Sequence, residues 1–309
     1  QPLQTLEFTP SEIRHLCEET VNLVEKVHTD IDEFMKYRGL FDDEHKNHNK
    51  VLPFYKALKA NPILYYDTYI RKQIKSDLKS LRYRCFTGKL LSDGNYQVFT
   101  PDVLGLAEAA FGQSVIGSLG AGQIFSKYWC DRNVEEVDVI RNPHIASEHY
   151  IAKVINPQSK WYEYQDTGIV TSIWDSLALR LNSADYDGDH VCSISSYPLR
   201  AAVKRAKINT ILWDRMDDPK DNKLPVPISN IPKVIETSVI GMQNRIGDVV
   251  NKISILWSLP QTDQIKDAIK IMSIIGSLTI DFAKSGEKAE IPPDINSLLK
   301  GKKKPEWMK

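Results

Sequence analysis

Apolar positions along the chain change their period twice, and the changes divide it into three regions. Up to about Arg84 the pattern is helical. Thr9, Pro10 and Glu12 form a helix start, with Thr as cap, Pro at the first helical position and Glu placed for a capping box. Ile13, Leu16, Val21, Val24 and Val27 follow at roughly helical spacing. A polar loop is expected over Phe41–Asn49, then a second helix from about Tyr66 to Tyr83 with Ile70, Ile74, Leu78 and Leu81 as its apolar stripe. From Cys85 to about Ser196 the runs are short, with Gly, Asn, Asp and Pro between them. They predict strands at Tyr96–Phe99, Gly122–Tyr128, Val137–Ile140, Tyr150–Ile155, Gly168–Ile173 and His190–Ile194, with one helix near Val103–Ala110. Beyond Leu199 the helical period returns. A proline-rich loop over Asp218–Pro232 precedes two amphipathic helices, Ile235–Leu256 and Gln264–Ala283. The expected domains are a helical N-terminal region (1–84), a β domain (85–200) and a helical C-terminal region (201–309), an α+β chain.

Composition adds little beyond a folded protein. Hydrophobic content of 42% and charged content of 26% are ordinary for the 309 residues. Net charge is zero, so attraction for phosphates has to come from local patches. Four scattered cysteines without a CxxC pair speak against a zinc ribbon or a disulfide framework and fit a reducing compartment. No run of about eighteen apolar residues marks a membrane span, and no signal peptide opens the chain. A cytoplasmic protein is expected. Because the sequence opens at Gln1, it reads as an excised part of a longer chain.

The segment with the most chemistry is Asn182–Val191. Asp185, Asp187 and Asp189 alternate, and in an extended strand such residues share one face. Three carboxylates on one face repel unless a cation sits among them. Mg²⁺ suits such a set, since it takes hard oxygen ligands from carboxylates and substrate phosphates. Gly188 allows a tight bend between two of them. An isolated Asp-x-Asp is usually a solvated turn; three alternating Asp with an internal Gly is far more specific. An EF-hand loop starting at Asp185 would need Gly and Glu where His190 and Ser196 stand, so that reading fails.

With those residues in view, "NSADYDGD" (Asn182–Asp189) resembles the metal-binding signature of two-barrel RNA polymerases. That superfamily includes the largest subunit of cellular RNA polymerases, the RNA-dependent polymerases of RNA silencing and single-chain polymerases of some phages and prophages. Its Asp-x-Asp-Gly-Asp motif is matched at Asp185, Asp187, Gly188 and Asp189. Other segments resemble family elements in the same order: "LGAGQIF" (Leu119–Phe125), "VDVIRNP" (Val137–Pro143), "DFAKSG" (Asp281–Gly286) and "KKPEWM" (Lys303–Met308). After Pro143 the Cys-Leu-His-Pro-Gly-Asp continuation of the silencing enzymes is missing, and "HIASEHY" is closer to compact phage-type members.

The resemblance implies a double-psi-type β barrel flanked by N- and C-terminal helical regions. It implies template-directed RNA synthesis from nucleoside triphosphates, with Asp185, Asp187 and Asp189 as catalytic ligands of one Mg²⁺ and a second Mg²⁺ arriving with the nucleotide. It also implies a nucleic-acid template, an RNA product, and a second β barrel from upstream in a longer chain or from another subunit. Arg141, Asn142, Lys284, Gln243, Asn244 and Arg245 are the candidate nucleotide or nucleic-acid contacts. For Arg141 and Asn142 the alternative is to fix a strand-to-turn geometry; for Lys284, a favourable charge near a helix C-terminus; for the other three, an ordinary surface position.

Two other functions compete. The same carboxylates could serve a metal-dependent phosphodiesterase or nuclease, with His190 as the adjacent candidate base. A non-catalytic barrel that binds nucleic acid is the other. Three weaker signals remain. Arg71, Lys75, Lys79 and Arg82, with Tyr65, Tyr66, Tyr69 and Tyr83 nearby, form either a solvated helix face or a track for a phosphate backbone. Gly117–Gly122 lacks the Lys-Ser/Thr of a P-loop and reads as a tight turn. His45 and His48 lack a third metal ligand.

Overall fold

The computed structural model describes residues 5–38, 53–142, 144, 148–157, 159–181, 184–206, 229–242, 246–285, 289–305 and 308; for 237–238, 240–242 and 281–285 it describes backbone only. The expected Phe41–Asn49 loop, His45 and His48, and most of the Asp218–Pro232 loop lie outside these residues. The chain forms two compact units, Thr9–Ser92 with Glu306–Lys309, and Asp93–Pro305 with the residues up to Phe8.

The first unit is helical: α1 (Pro10–Thr29), α2 (Ile31–Tyr37), α3 (Pro53–Ala60) and α4 (Thr68–Phe86). The capping box forms as expected. Thr9 Oγ1 accepts from the Glu12 amide, and the Thr9 amide donates to Glu12 Oε2 at 2.8 Å. Asp30 ends α1 and caps α2, accepting from the Asp32 amide at 2.8 Å, which turns the chain in a single residue. Asp67 caps α4 in the same way. Val27, Phe34, Tyr55, Leu58, Ile74 and Leu81 interlock as the core of this unit.

The second unit is built on a closed barrel of six strands: β1 (Gly94–Pro101), β2 (Gln123–Phe125), β3 (Glu136–Arg141), β4 (Tyr150–Val154), β5 (Gly168–Thr171) and β6 (His190–Ile194). The order round the barrel is β1-β5-β2-β4-β3-β6. β1 with β5 and β2 with β4 are parallel, and the remaining pairs are antiparallel. Closure leaves no strand edge unpaired. Short helices α5 (Val103–Ala110), α6 (Lys127–Cys130), α7 (Leu177–Arg180) and α8 (Tyr197–Ala206) lie between or after the strands. They are followed by α9 (Ile231–Met242), α10 (Ile246–Trp257), α11 (Asp263–Ser285) and α12 (Pro293–Leu299). This is the α+β class expected, a barrel flanked by helices. Every predicted strand is present, β2 shorter than its apolar run. The stretch expected as one helix over Ile235–Leu256 is described as α9 and α10.

Alternation along the strands fills the barrel. Val137 and Val139 of β3, Phe99 of β1, Ile124 of β2, Ala152 of β4, Ile169 of β5 and Val191 of β6 meet inside it. Leu177, Leu181 and Ala184, on α7 and the segment after it, join the same core. One polar network is buried among them. Gln97 accepts from Ser126 Oγ at 2.9 Å and donates to the Gly168 carbonyl at 3.0 Å, while Trp129 Nε1 donates to Ser193 Oγ at 2.7 Å. These hydrogen bonds offset the cost of burying its polar groups while tying β1, β5 and β6 together. On the other face of β3 and β6, Ile140 and Ile194 pack with Leu6, Leu199, Ala202 and Val203. Arg200 and Lys204 of α8 both reach Glu136 at 2.6 Å and fasten that helix to β3.

The glycine-rich segment after α5 is a turn held by carboxylates. Gly117 and Gly122 have φ of 68° and 78°. Asp102 Oδ2 accepts from the Ser118 and Leu119 amides, and Glu108 from those of Ile116 and Gly117. These amides are already engaged by anions of the chain itself, which removes the basis for a phosphate cradle.

Candidate metal centre

The aspartates do not sit on an extended strand. Tyr186–Gly188 form a turn, and β6 begins only at His190. Gly188 has φ of +117°, in the region that disfavours other residues, so the turn requires it. The turn achieves what strand alternation was expected to do. Oxygen atoms of Asp185, Asp187 and Asp189 all lie within 4.8 Å of one another.

The loop is anchored at several points. Upstream, Ala184 is buried and its amide donates to the Ala178 carbonyl at 3.0 Å. Downstream, the Asp189 carbonyl accepts from the Phe99 amide at 2.8 Å, joining the loop to β1. Between the ligands, Tyr186 stacks on buried Phe99 at 4.8 Å with 14° between the rings, and its hydroxyl lies 3.0 Å from Thr171 Oγ1. Tyr186 was not among the residues singled out from the sequence. Its signal was a large aromatic placed between two acidic positions of a polar loop.

Asp189 is held at one oxygen by two partners. Its Oδ2 accepts from the Asp185 amide at 3.0 Å and pairs with Arg141 Nη2 at 2.7 Å. Arg141 arrives there because β3 and β6 are antiparallel neighbours with Arg141 opposite Val191. Asn142 donates through Nδ2 to the Tyr96 hydroxyl on β1. Burial, opposed by the Asn142 bond, raises the Tyr96 pKa, so the phenol stays neutral. Among the sequence candidates, the structure thus brings Arg141 to the carboxylates and joins Asn142 to β1. Lys284 lies in α11 with its side chain outside the described residues, and Gln243, Asn244 and Arg245 lie outside them altogether.

A second polar cluster, also not singled out from the sequence, lies on the opposite face of β3 from Val137 and Val139. Asp138 and His149 are fully buried, with His149 Nδ1 2.6 Å from Asp138 Oδ2. His144 is buried beside them, its ring 4.5 Å from that of His149. Burial raises the Asp138 pKa despite the histidine, and burial followed by the charge of His149 holds His144 well below 6.5.

What the trio can hold follows from its donors. It offers carboxylate oxygens and no sulfur or imidazole, the ligand set of hard divalent cations. Asp187 is exposed and Asp189 half-buried, so a cation there would keep positions open to solvent or substrate. Fold and site together define a closed-barrel protein with a three-carboxylate site able to bind a metal ion. No family model matches the chain, and no curated protein matches it. Among solved structures it is similar to the RNA dependent RNA polymerase QDE-1 from Thielavia terrestris, at 15% sequence identity and a TM-score of 0.49. The similarity covers 78% of this chain, which spans 28% of the length of that polymerase. No helix among the described residues is long and apolar enough to cross a membrane.

Proposed function

We propose that the chain is the catalytic part of a template-directed RNA polymerase, joining nucleoside triphosphates to an RNA 3′ end with Mg²⁺ at Asp185, Asp187 and Asp189. The observation that carries this reading is the convergence of the three carboxylates within 4.8 Å on a loop of Asp-x-Asp-Gly-Asp sequence. In the reaction the RNA 3′ oxygen bonds to the α-phosphorus of the triphosphate, pyrophosphate departs and the hydroxyl proton passes to solvent. A divalent cation held by Asp185, Asp187 and Asp189 would supply Lewis acidity and offset the charge of the phosphates. Asp185, Asp187 and Asp189 supply the anionic oxygens that fix its place. Arg141 and the Asp185 amide hold Asp189 in one orientation. The Tyr186–Phe99 stack braces the turn against β1. A template, an RNA product and a second barrel, from a longer chain or another subunit, complete the proposal.

The test is incorporation of labelled nucleotides on single-stranded DNA and RNA templates, primed and unprimed, by the longest available parent chain and its Asp187→Ala variant. The proposal expects template-dependent product with Mg²⁺ and a loss of at least about 10²-fold in the variant. Metal-dependent cleavage of the nucleic acid without synthesis would replace it with a phosphodiesterase.

A further inference from the structure

We infer that the helical unit Thr9–Ser92 carries a binding groove for single-stranded nucleic acid, separate from the carboxylate site. The groove runs along α4 and measures about 870 Å³. Its rim carries Arg71, Lys72, Lys75, Lys79 and Arg82, all exposed. Among the described residues no carboxylate lines it, and none of these five cations pairs with one. From Arg71 to Arg82 the helix rises about 16 Å, so the cations form a line rather than a point. A line of unpaired cations suits a polyanion, and counterion release favours its binding.

The aromatic residues narrow the choice of polyanion. Tyr65 stands near the start of α4 and Tyr83 and Phe86 in its last turn, all lining the same groove. Tyr83 is 61% exposed and Phe86 77%, although burying such rings is favourable. Unstacked bases offer flat π faces to exposed rings of this kind, whereas a duplex keeps its bases stacked inside. An anionic membrane would need a free apolar helix face to insert. On α4 that face is spent: Ile74 and Leu81 are buried in the core of the unit. The basic stripe read from the sequence thus gains a concave shape and three further polar or aromatic liners, His28, Lys72 and Phe86, with no carboxylate among the described lining residues; Tyr66 and Tyr69 do not line it.

The experiment is fluorescence anisotropy of a labelled twenty-nucleotide oligo(U) with the Asp187→Ala chain, without divalent metal or nucleotide, across a salt series. Because the carboxylate site is disabled, the outcome does not depend on the polymerase reading. Lys75→Gln with Lys79→Gln is expected to flatten the plot of log K against log salt by about 1.4, two phosphates' worth on a single strand. Tyr83→Leu with Phe86→Leu is expected to weaken binding about fivefold or more at unchanged slope. All four side chains are exposed, so an unchanged melting temperature in each variant shows that the fold is retained. Oligonucleotide binding that neither variant alters overturns the inference. So does α4-dependent binding to phosphatidylserine vesicles with no binding to the oligonucleotide.

Discussion

Asp189 meets two positive partners at one oxygen, the Arg141 guanidinium at 2.7 Å and the Asp185 amide at 3.0 Å. Any cation entering the site competes with the guanidinium for that carboxylate. Arg141→Gln is therefore expected to tighten Mn²⁺ binding on the order of tenfold by removing a nearby positive charge. It should at the same time slow nucleotide incorporation, because Asp189 loses the contact that orients it. Calorimetry against Mn²⁺ checks the first effect; unchanged or weaker binding would mean that Arg141 assists the cation. The carboxylates were legible in the sequence because their signal is local, three Asp and a Gly within five residues. The partner of Arg141 was not, because β3 and β6 are distant in sequence and only their pairing places it opposite Val191. Tyr186 stayed unread for the same reason, its stack on Phe99 resting on the β1–β6 contact.

The strands were readable because each is a short alternating run bounded by turn residues, and burial inside a closed barrel enforces that alternation. On β3 and between β3 and β4 the same reading passed over the buried group at Asp138, His144 and His149, since a histidine in a polar segment gives no sign of burial. This group carries a pH dependence. Burial keeps His144 neutral in the folded chain, with its pKa well below 6.5, while the unfolded chain takes up the proton near that value. As pH falls below about 6.5, the unfolded state therefore binds more protons and stability declines; above it, this contribution is flat. Asp138, raised by burial, acts in the opposite sense. Comparing variants isolates the histidine. His144→Gln should lose less melting temperature between pH 7.5 and 5.5 than the parent chain. Equal losses would show that His144 is protonated in the folded state.

At the scale of the whole chain, closing the barrel converts sequence into a site. Pairing β6 with both β1 and β3 brings the carboxylate loop, the Asp189–Phe99 backbone bond and Arg141 together. Hydrophobic period was enough to foresee a β region between helical ones. It could not give the strand order, which depends on non-local pairing, nor the groove on α4, whose concave shape comes from the packing around that helix. The central claim is that Asp185, Asp187 and Asp189 hold a divalent cation, and thermal unfolding against Mn²⁺ tests it most directly. At a hundredfold excess over its dissociation constant, Mn²⁺ should stabilise the chain by about 2.7 kcal/mol. Asp187→Asn should abolish that gain while leaving the metal-free melting temperature unchanged or higher, because repulsion among the carboxylates falls. A chain that Mn²⁺ does not stabilise, or a variant stabilised as much as the parent, would contradict the claim.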